Sequence, residues 1–116
     1  MENKRKIGAT YEKVATEYLI RQGYEILALN YRCFLGEIDI VARDNDTIVF
    51  CEVKYRKTKR MGTPLEAVGI RKQQVIMKSA MCFLNQYKLS KAPCRFDVIG
   101  IEGEEIAHVK NAFDGS

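Results

Sequence analysis

Asp39 interrupts one apolar run, and Glu52 and Lys54 interrupt the next, within the stretch GEIDIVARDNDTIVFCEVK from Gly36 to Lys54. The four residues Asp44-Asn45-Asp46-Thr47 between the runs have turn chemistry, so the stretch reads as a β-hairpin with charge near its open end. With Asn45 and Asp46 as a two-residue loop, Asp44 faces Thr47, Val41 faces Phe50, and Asp39 lies opposite Glu52. Glu37 and Lys54 then form the next facing pair on the same side. Opposed carboxylates repel across strands and destabilise a sheet. A divalent cation bridging Asp39 and Glu52 gives the pairing a reason, because hard ions such as Mg²⁺ take oxygen ligands, commonly one or two carboxylates with water. A loop of odd length would instead send the two acids to opposite faces.

The elements that must hold this hairpin are legible on either side. From Ile7 to Gln22 the positions Ile7, Tyr11, Val14, Ala15, Tyr18 and Leu19 follow three- and four-residue spacing, and Gly23 suits a helix C-terminus. Glu12 borders the apolar stripe, where a solvated flank is the default. Tyr24 to Arg32 reads as a first strand, turned by Cys33 to Gly36 into the hairpin, and the third strand, Ile48 to Tyr55, is apolar on both faces up to Cys51, as a central strand would be. Thr63-Pro64-Leu65-Glu66 combines an N-cap threonine, proline at the first helical position and a capping-box glutamate. The helix that follows carries a stripe through Leu65, Val68, Lys72, Val75, Ser79, Cys82 or Phe83 and Gln86 or Tyr87, and Gly69 could divide it in two. Lys72, inside that stripe, either snorkels to its edge or meets an anion. Arg95 to Glu102 and Glu105 to Lys110 read as two further strands, the first placed parallel by the helical crossover before it. Asp97 fits an edge position or a pairing with Arg95. Asn111 to Ser116 reads as a loosely held tail.

A chain of 116 residues fits one domain, 1–116, of mixed α/β class with the order α-β-β-β-α-β and a C-terminal strand. Without a long apolar run or a signal-peptide core, a cytoplasmic protein with no membrane role is expected. Cys33, Cys51, Cys82 and Cys94 form no C-x-x-C pair, which argues for free thiols and against zinc. The lone His108 has no nucleophile partner and reads as an ordinary strand or surface histidine, so triad hydrolysis is excluded as a leading idea. The net charge of +4 is modest, yet Arg56, Lys57, Lys59 and Arg60 gather just after the hairpin, with Arg71 and Lys72 beyond. Such a cluster beside opposed carboxylates suits the phosphates of a polyanion.

An acid in one strand and E-x-K in the next, after a helix carrying Glu12 and before one carrying Lys72, resembles the PD-(D/E)XK nuclease superfamily of restriction-endonuclease-like fold. The likeness extends over nearly the whole chain: Gly8 and Glu12 with Ala15, Asn30 with Arg32, GEID at Gly36 to Asp39, FCEVKYR at Phe50 to Arg56, Lys72 with Ala80, RFDV at Arg95 to Val98, and Ala112-Phe113. This ordered set is similar to the YraN family of small bacterial endonuclease-like proteins, themselves similar in fold to archaeal Holliday-junction resolvases. The resemblance implies that Asp39 and Glu52 hold Mg²⁺, with Mn²⁺ as a substitute, and that Lys54 orients or activates the attacking water and stabilises the phosphate. It further implies that Glu12 completes the acidic site and that Lys72 is an auxiliary substrate contact. Arg32, Arg56, Lys57, Lys59 and Arg60 join Lys72 as expected nucleic-acid contacts, with DNA ahead of RNA. The expected activity is metal-dependent hydrolysis of phosphodiester bonds in DNA, branched or processed DNA included, and a homodimer would suit a cut through two strands. The alternative is a nucleic-acid-binding or assembly module that keeps the nuclease fold without cutting.

Overall fold

The computed structural model describes residues 4–56 and 68–114, with side chains from Thr10 onward in the first helix. The order is α1 (Lys4–Arg21), β1 (Glu25–Cys33), β2 (Gly36–Asp44), β3 (Thr47–Arg56), α2 (Ile70–Gln86), β4 (Cys94–Glu102) and β5 (Glu105–Phe113). The strands form one mixed sheet in the order β1-β2-β3-β4-β5, antiparallel except for the parallel pair β3 and β4 joined across α2. This is the expected α-β-β-β-α-β arrangement with its C-terminal strand.

Each face of the sheet carries one helix and one apolar cluster. Ala15 and Leu19 of α1 pack with Ile40, Ala42, Val49, Cys51, Ile99 and Ile101. Ile76, Ala80 and Phe83 of α2 pack with Ile38, Val41, Ile48, Phe50 and Val98 on the opposite face. The central strand β3 therefore buries both of its sides, as its doubly apolar sequence requires. Helix α1 ends where Gly23 takes a left-handed φ of 91°, letting the Tyr24 N–H reach back to the Leu19 carbonyl at 3.0 Å. No helix among the described residues is long and apolar enough to cross a membrane.

Two open alternatives resolve, and one expectation changes. The expected capping box at Thr63 to Glu66 lies outside the described residues, but a single unbroken helix from there is ruled out. Gly69 is extended (φ −67°, ψ 164°) and serves as the N-cap, so α2 begins at Ile70. Asp97 is on no edge, since β4 lies between β3 and β5. The segment from Asn111 is strand up to Phe113 rather than a loose tail, because Phe113 stacks on Phe96 at 5.2 Å and the Asn111 N–H bonds Asp97 Oδ1 at 3.0 Å.

Beneath α1 a polar network replaces part of the apolar contact. Asp97 is fully buried and accepts from Arg95 Nε at 3.1 Å and from His108 Nε2 at 2.7 Å. With that nitrogen donating, His108 Nδ1 accepts the Tyr18 hydroxyl at 3.0 Å. Arg95 continues to Asp44 at 2.9 Å and to the Tyr24 hydroxyl. His108 stands on strand β5, one of the two places expected for it, but its side chain is buried within this network.

Candidate functional site

The hairpin register is as the alternation predicts, with Asp44 facing Thr47, Arg43 facing Ile48 and Val41 facing Phe50. The ladder ends at Ile40 and Cys51, one step short of the two acids. Alternation fails there: Ile38 and Val41 both enter the α2-side cluster while Ile40 and Ala42 enter the α1-side cluster. Asp39 occupies that break, and its Oδ2 accepts the Val53 N–H at 2.8 Å. Glu37 does not pair with Lys54 across the hairpin. It turns to the other neighbour, where Arg32 Nε lies 3.6 Å from its carboxylate.

Glu52, by contrast, sits on the regular part of β3, buried with a side-chain exposure of only 5%. Lys54 Nζ lies 3.6 Å and Lys72 Nζ 3.8 Å from its Oε1. Lys72 has thus met an anion from its place on the α2 stripe. Burial pushes the Glu52 carboxyl up to about 7, the charge of Asp39 adds to the rise, and the two ammonium groups only partly oppose it. Asp39 is also raised, first by burial, against the Val53 N–H and Lys72. Glu12 reaches Asp39 from α1 and is raised by burial and then by the Asp39 charge. The charged groups therefore come from all three layers: the carboxylates of Glu12 on α1 and of Asp39 and Glu52 on the sheet, and the ammonium of Lys72 on α2.

One participant carried no role in the sequence reading. Asn30 falls opposite Asp39 on β1, between the paired residues Leu29 with Ile40 and Tyr31 with Ile38, and takes a left-handed φ of 51°. Its side chain hydrogen-bonds Glu12. The available signal was asparagine within an otherwise β-prone strand, since Asn tolerates that backbone region. A groove of about 350 Å³ opens alongside, lined by Glu12, Lys13, Thr16, Glu17, Leu29 and Asn30.

The donor set suits a hard cation. All three acids offer oxygen, and Glu52 Oε2 is buried with no hydrogen-bond partner of ordinary geometry among the described residues. A buried anionic oxygen left in that state costs free energy until a cation or a proton joins it. Among the described residues no three His, Cys, Asp or Glu side chains converge on a single point, so Asp39 and Glu52 are the pair that could share an ion.

The profile of the family described as "Uncharacterised protein family UPF0102" matches residues 11–101, which runs from α1 through β4 and includes every carboxylate above. The chain belongs to the UPF0102 family. A UPF0102 protein of Lachnoclostridium phytofermentans is 53% identical over 113 residues, covering 97% of this chain and 96% of its own. Those of Caldicellulosiruptor saccharolyticus (42% identical, 96% and 99% covered) and Syntrophus aciditrophicus (44% identical, 98% and 93% covered) are similar over the same extent.

In this UPF0102 chain the expected nucleic-acid contacts divide. Arg32, with its side chain 79% exposed, and the half-exposed Lys72 stand where a polyanion could reach them. Arg56 does not: it is buried, with Nε 3.7 Å from Glu102 Oε1, because its place on β3 directs it to the partner strand β4. Lys57, Lys59 and Arg60 lie outside the described residues.

Proposed function

We propose that this chain is a divalent-metal-dependent endonuclease that hydrolyses phosphodiester bonds in DNA, including branched or processed DNA. The observation that carries this reading is the pair of half-buried Asp39 and buried Glu52, raised together, with Lys54 and Lys72 beside Glu52. Asp39 and Glu52 would hold Mg²⁺ or Mn²⁺, with Glu12 steadying Asp39 from α1. Such a cation, when bound, would neutralise charge building on the phosphate and make water a stronger nucleophile near neutral pH. Asp39 is fixed for this by the Val53 N–H, beside Glu52 and Glu12. Lys54 Nζ would orient the attacking water and donate to the phosphate oxygens as they gain charge. Lys72 and Arg32 would position the backbone by phosphate contact, which makes binding salt-dependent.

A second reading, a nucleic-acid-binding or assembly module that does not cut, draws support from the absence of a third converging ligand among the described residues. The two separate in one experiment. Purified protein is incubated with supercoiled, linear, branched and single-stranded DNA and with RNA, in Mg²⁺, Mn²⁺ or chelator. The nuclease reading expects metal-dependent nicking that Asp39→Asn and Glu52→Gln abolish while their circular dichroism is unchanged. Equal cleavage by those variants overturns it, and salt-dependent binding without cleavage on every substrate favours the second reading.

A further inference from the structure

Phe34 and Leu35 make the two-residue turn between β1 and β2, closed by the facing pair Cys33 and Gly36. Turns of this length favour Gly, Asn or Asp. The next hairpin obeys that preference, with Asn45 at a left-handed φ of 54° beside Asp46. Phe34 is instead 91% exposed, with Leu35 exposed beside it. The ring belongs to neither apolar cluster of the fold, and turn geometry does not call for it. Held in water, it forgoes the free energy that covering its surface would return.

The tip is braced. Helix α2 passes so close to Gly36 that a Cβ there would stand 2.4 Å from Val75 Cγ1 and 3.2 Å from Ser79 Oγ. Behind the turn, the Tyr31 hydroxyl donates to Gln86 Oε1 at 2.8 Å, and the Tyr31 and Phe83 rings meet edge to face at 5.2 Å. The same packing gathers cations around the tip. Arg71 and Lys78, one helical turn before and after Val75, share its side of α2, and both are exposed. Arg32, just before the turn, is exposed and lies 3.6 Å from Glu37, in a weak surface pair that a phosphate can displace. An aromatic tip among positive charges fits a nucleic acid, which presents base faces between phosphates. The tip also shares its ribbon with the candidate metal site. Gly36 precedes Asp39 by roughly 10 Å of strand, or about three nucleotides of a bound chain. That continuity favours DNA over an anionic lipid surface, for which the carboxylate pair has no use.

We propose that Phe34, backed by Leu35, is a wedge that stacks on the base exposed where duplex DNA branches, while Arg32, Arg71 and Lys78 hold the phosphates around it. The inference deepens the reading of this chain as a protein of branched DNA, and it rests on DNA binding rather than on cleavage. An aromatic ring has to unstack neighbouring bases before it can enter a continuous duplex. At a branch the stack is already interrupted, so the ring covers a base face without that cost and its own apolar surface leaves water. Bracing by α2 suits the role, because a turn already held in place loses little freedom on binding. The wedge thus selects the branch, and the ribbon sets its distance from Asp39.

The test uses a four-way junction, a fork and the matching continuous duplex, with 2-aminopurine at the bases flanking the branch. Binding is measured in chelator, so that no metal-dependent cut occurs. Wild-type protein should raise the fluorescence at the branch, as the base leaves its neighbours, and should bind branched DNA more tightly than the duplex. Phe34→Ala should lose the fluorescence rise and roughly tenfold of the affinity for branched DNA, the scale of one base–aromatic stack, with duplex affinity unchanged. Phe34→Trp should keep both. Lys78→Ala should weaken binding to all three DNAs alike and lower the salt slope by about one. A Phe34→Ala protein that binds and reports like wild type overturns the proposal, as does an equal loss on branched and continuous DNA. Phe34-dependent binding to phosphatidylglycerol vesicles, or Phe34-dependent self-association, with branch affinity unmoved also overturns it. Failure of the nuclease reading shows separately, as absence of cleavage in Mg²⁺, and leaves this measurement standing.

Discussion

Asp39 takes the N–H of Val53 on its side chain at 2.8 Å, just where the main-chain ladder between β2 and β3 has stopped. The bond satisfies an amide that the departing strand can no longer serve, and it holds one carboxylate oxygen fixed beside a second, buried acid. A catalytic carboxylate positioned by main chain is less mobile than one positioned by another side chain. That fixity is what a metal ligand or an electrostatic stabiliser needs.

Stability measured in chelator should fall as the pH rises from 5 to 8. Glu52 in the folded chain titrates at about 7, well above its ordinary value of 4.5. Below 4.5 the acid is protonated in both folded and unfolded chains and costs nothing. Between the two values the unfolded chain ionises while the folded chain keeps its proton, and above 7 the full penalty, on the order of 3 kcal/mol, is present. Glu52→Gln should flatten that profile and stabilise the protein at pH 8 by roughly 1–3 kcal/mol in urea denaturation. A variant less stable than wild type at pH 8 would contradict this account.

Asp97→Ala should have the opposite sign. Burial raises this carboxyl, yet the bonds from His108, Arg95 and the Asn111 N–H prevail and hold it below the ordinary range. Its contribution is present above the unfolded value near 3.8 and lost as the pH falls through the lowered folded value. Removing it strands Arg95 and His108 beneath α1, at a cost of about 3–5 kcal/mol. Urea midpoints at pH 7 measure this directly.

Gly36→Ala should destabilise through helix α2. A Cβ at this position would lie 2.4 Å from Val75 Cγ1, so the helix must move off the sheet or Val75 must change rotamer. Overpacking of this kind costs about 1–3 kcal/mol. Combining it with Val75→Ala should recover part of the loss, and strict additivity of the two changes would show that the contact is not the cause.

The two lysines beside Glu52 should separate by kinetic signature if the chain cuts DNA. Lys54→Ala should lower turnover roughly a hundredfold, as loss of one preorganised donor does. Lys72→Ala should act mainly on substrate affinity, reducing the slope of log binding constant against log salt by about one phosphate contact. Identical turnover losses from both would assign them one shared role.

How far the sequence discloses the site depends on how regular the backbone is at each residue. Glu52 and Lys54 stand on a strand that keeps strict alternation, and their shared face follows from period two. Lys72 follows from helical period for the same reason. Asp39 and Asn30 sit where alternation fails on two adjacent strands, so a period carries no information about which layer their side chains meet. Helical period left Glu12 on a solvated flank, and only the family resemblance set it with the other acids, because its contact with Asp39 passes through that break. Arg56 misleads for another reason: a run of basic residues looks uniform in composition, yet the first of them is still strand and ends beside Glu102. Asp97 drew attention as a charge in an apolar strand, and its pairing with Arg95 was readable two residues away; His108 and Tyr18 came from distant elements that no local pattern links.

A five-stranded sheet ordinarily insulates the helices on its two faces from one another. The break at Asp39 is a window through that partition, since a group from α1 and an ammonium from α2 both address the carboxylates gathered there. Occupancy of the window by a cation or a phosphate would therefore be felt on both faces at once. Hydrogen–deuterium exchange should show amides near Glu12 and near Lys72 slowing together on addition of Mg²⁺, with Asp39→Asn uncoupling them. Slowing confined to one helix would show that the partition is closed after all.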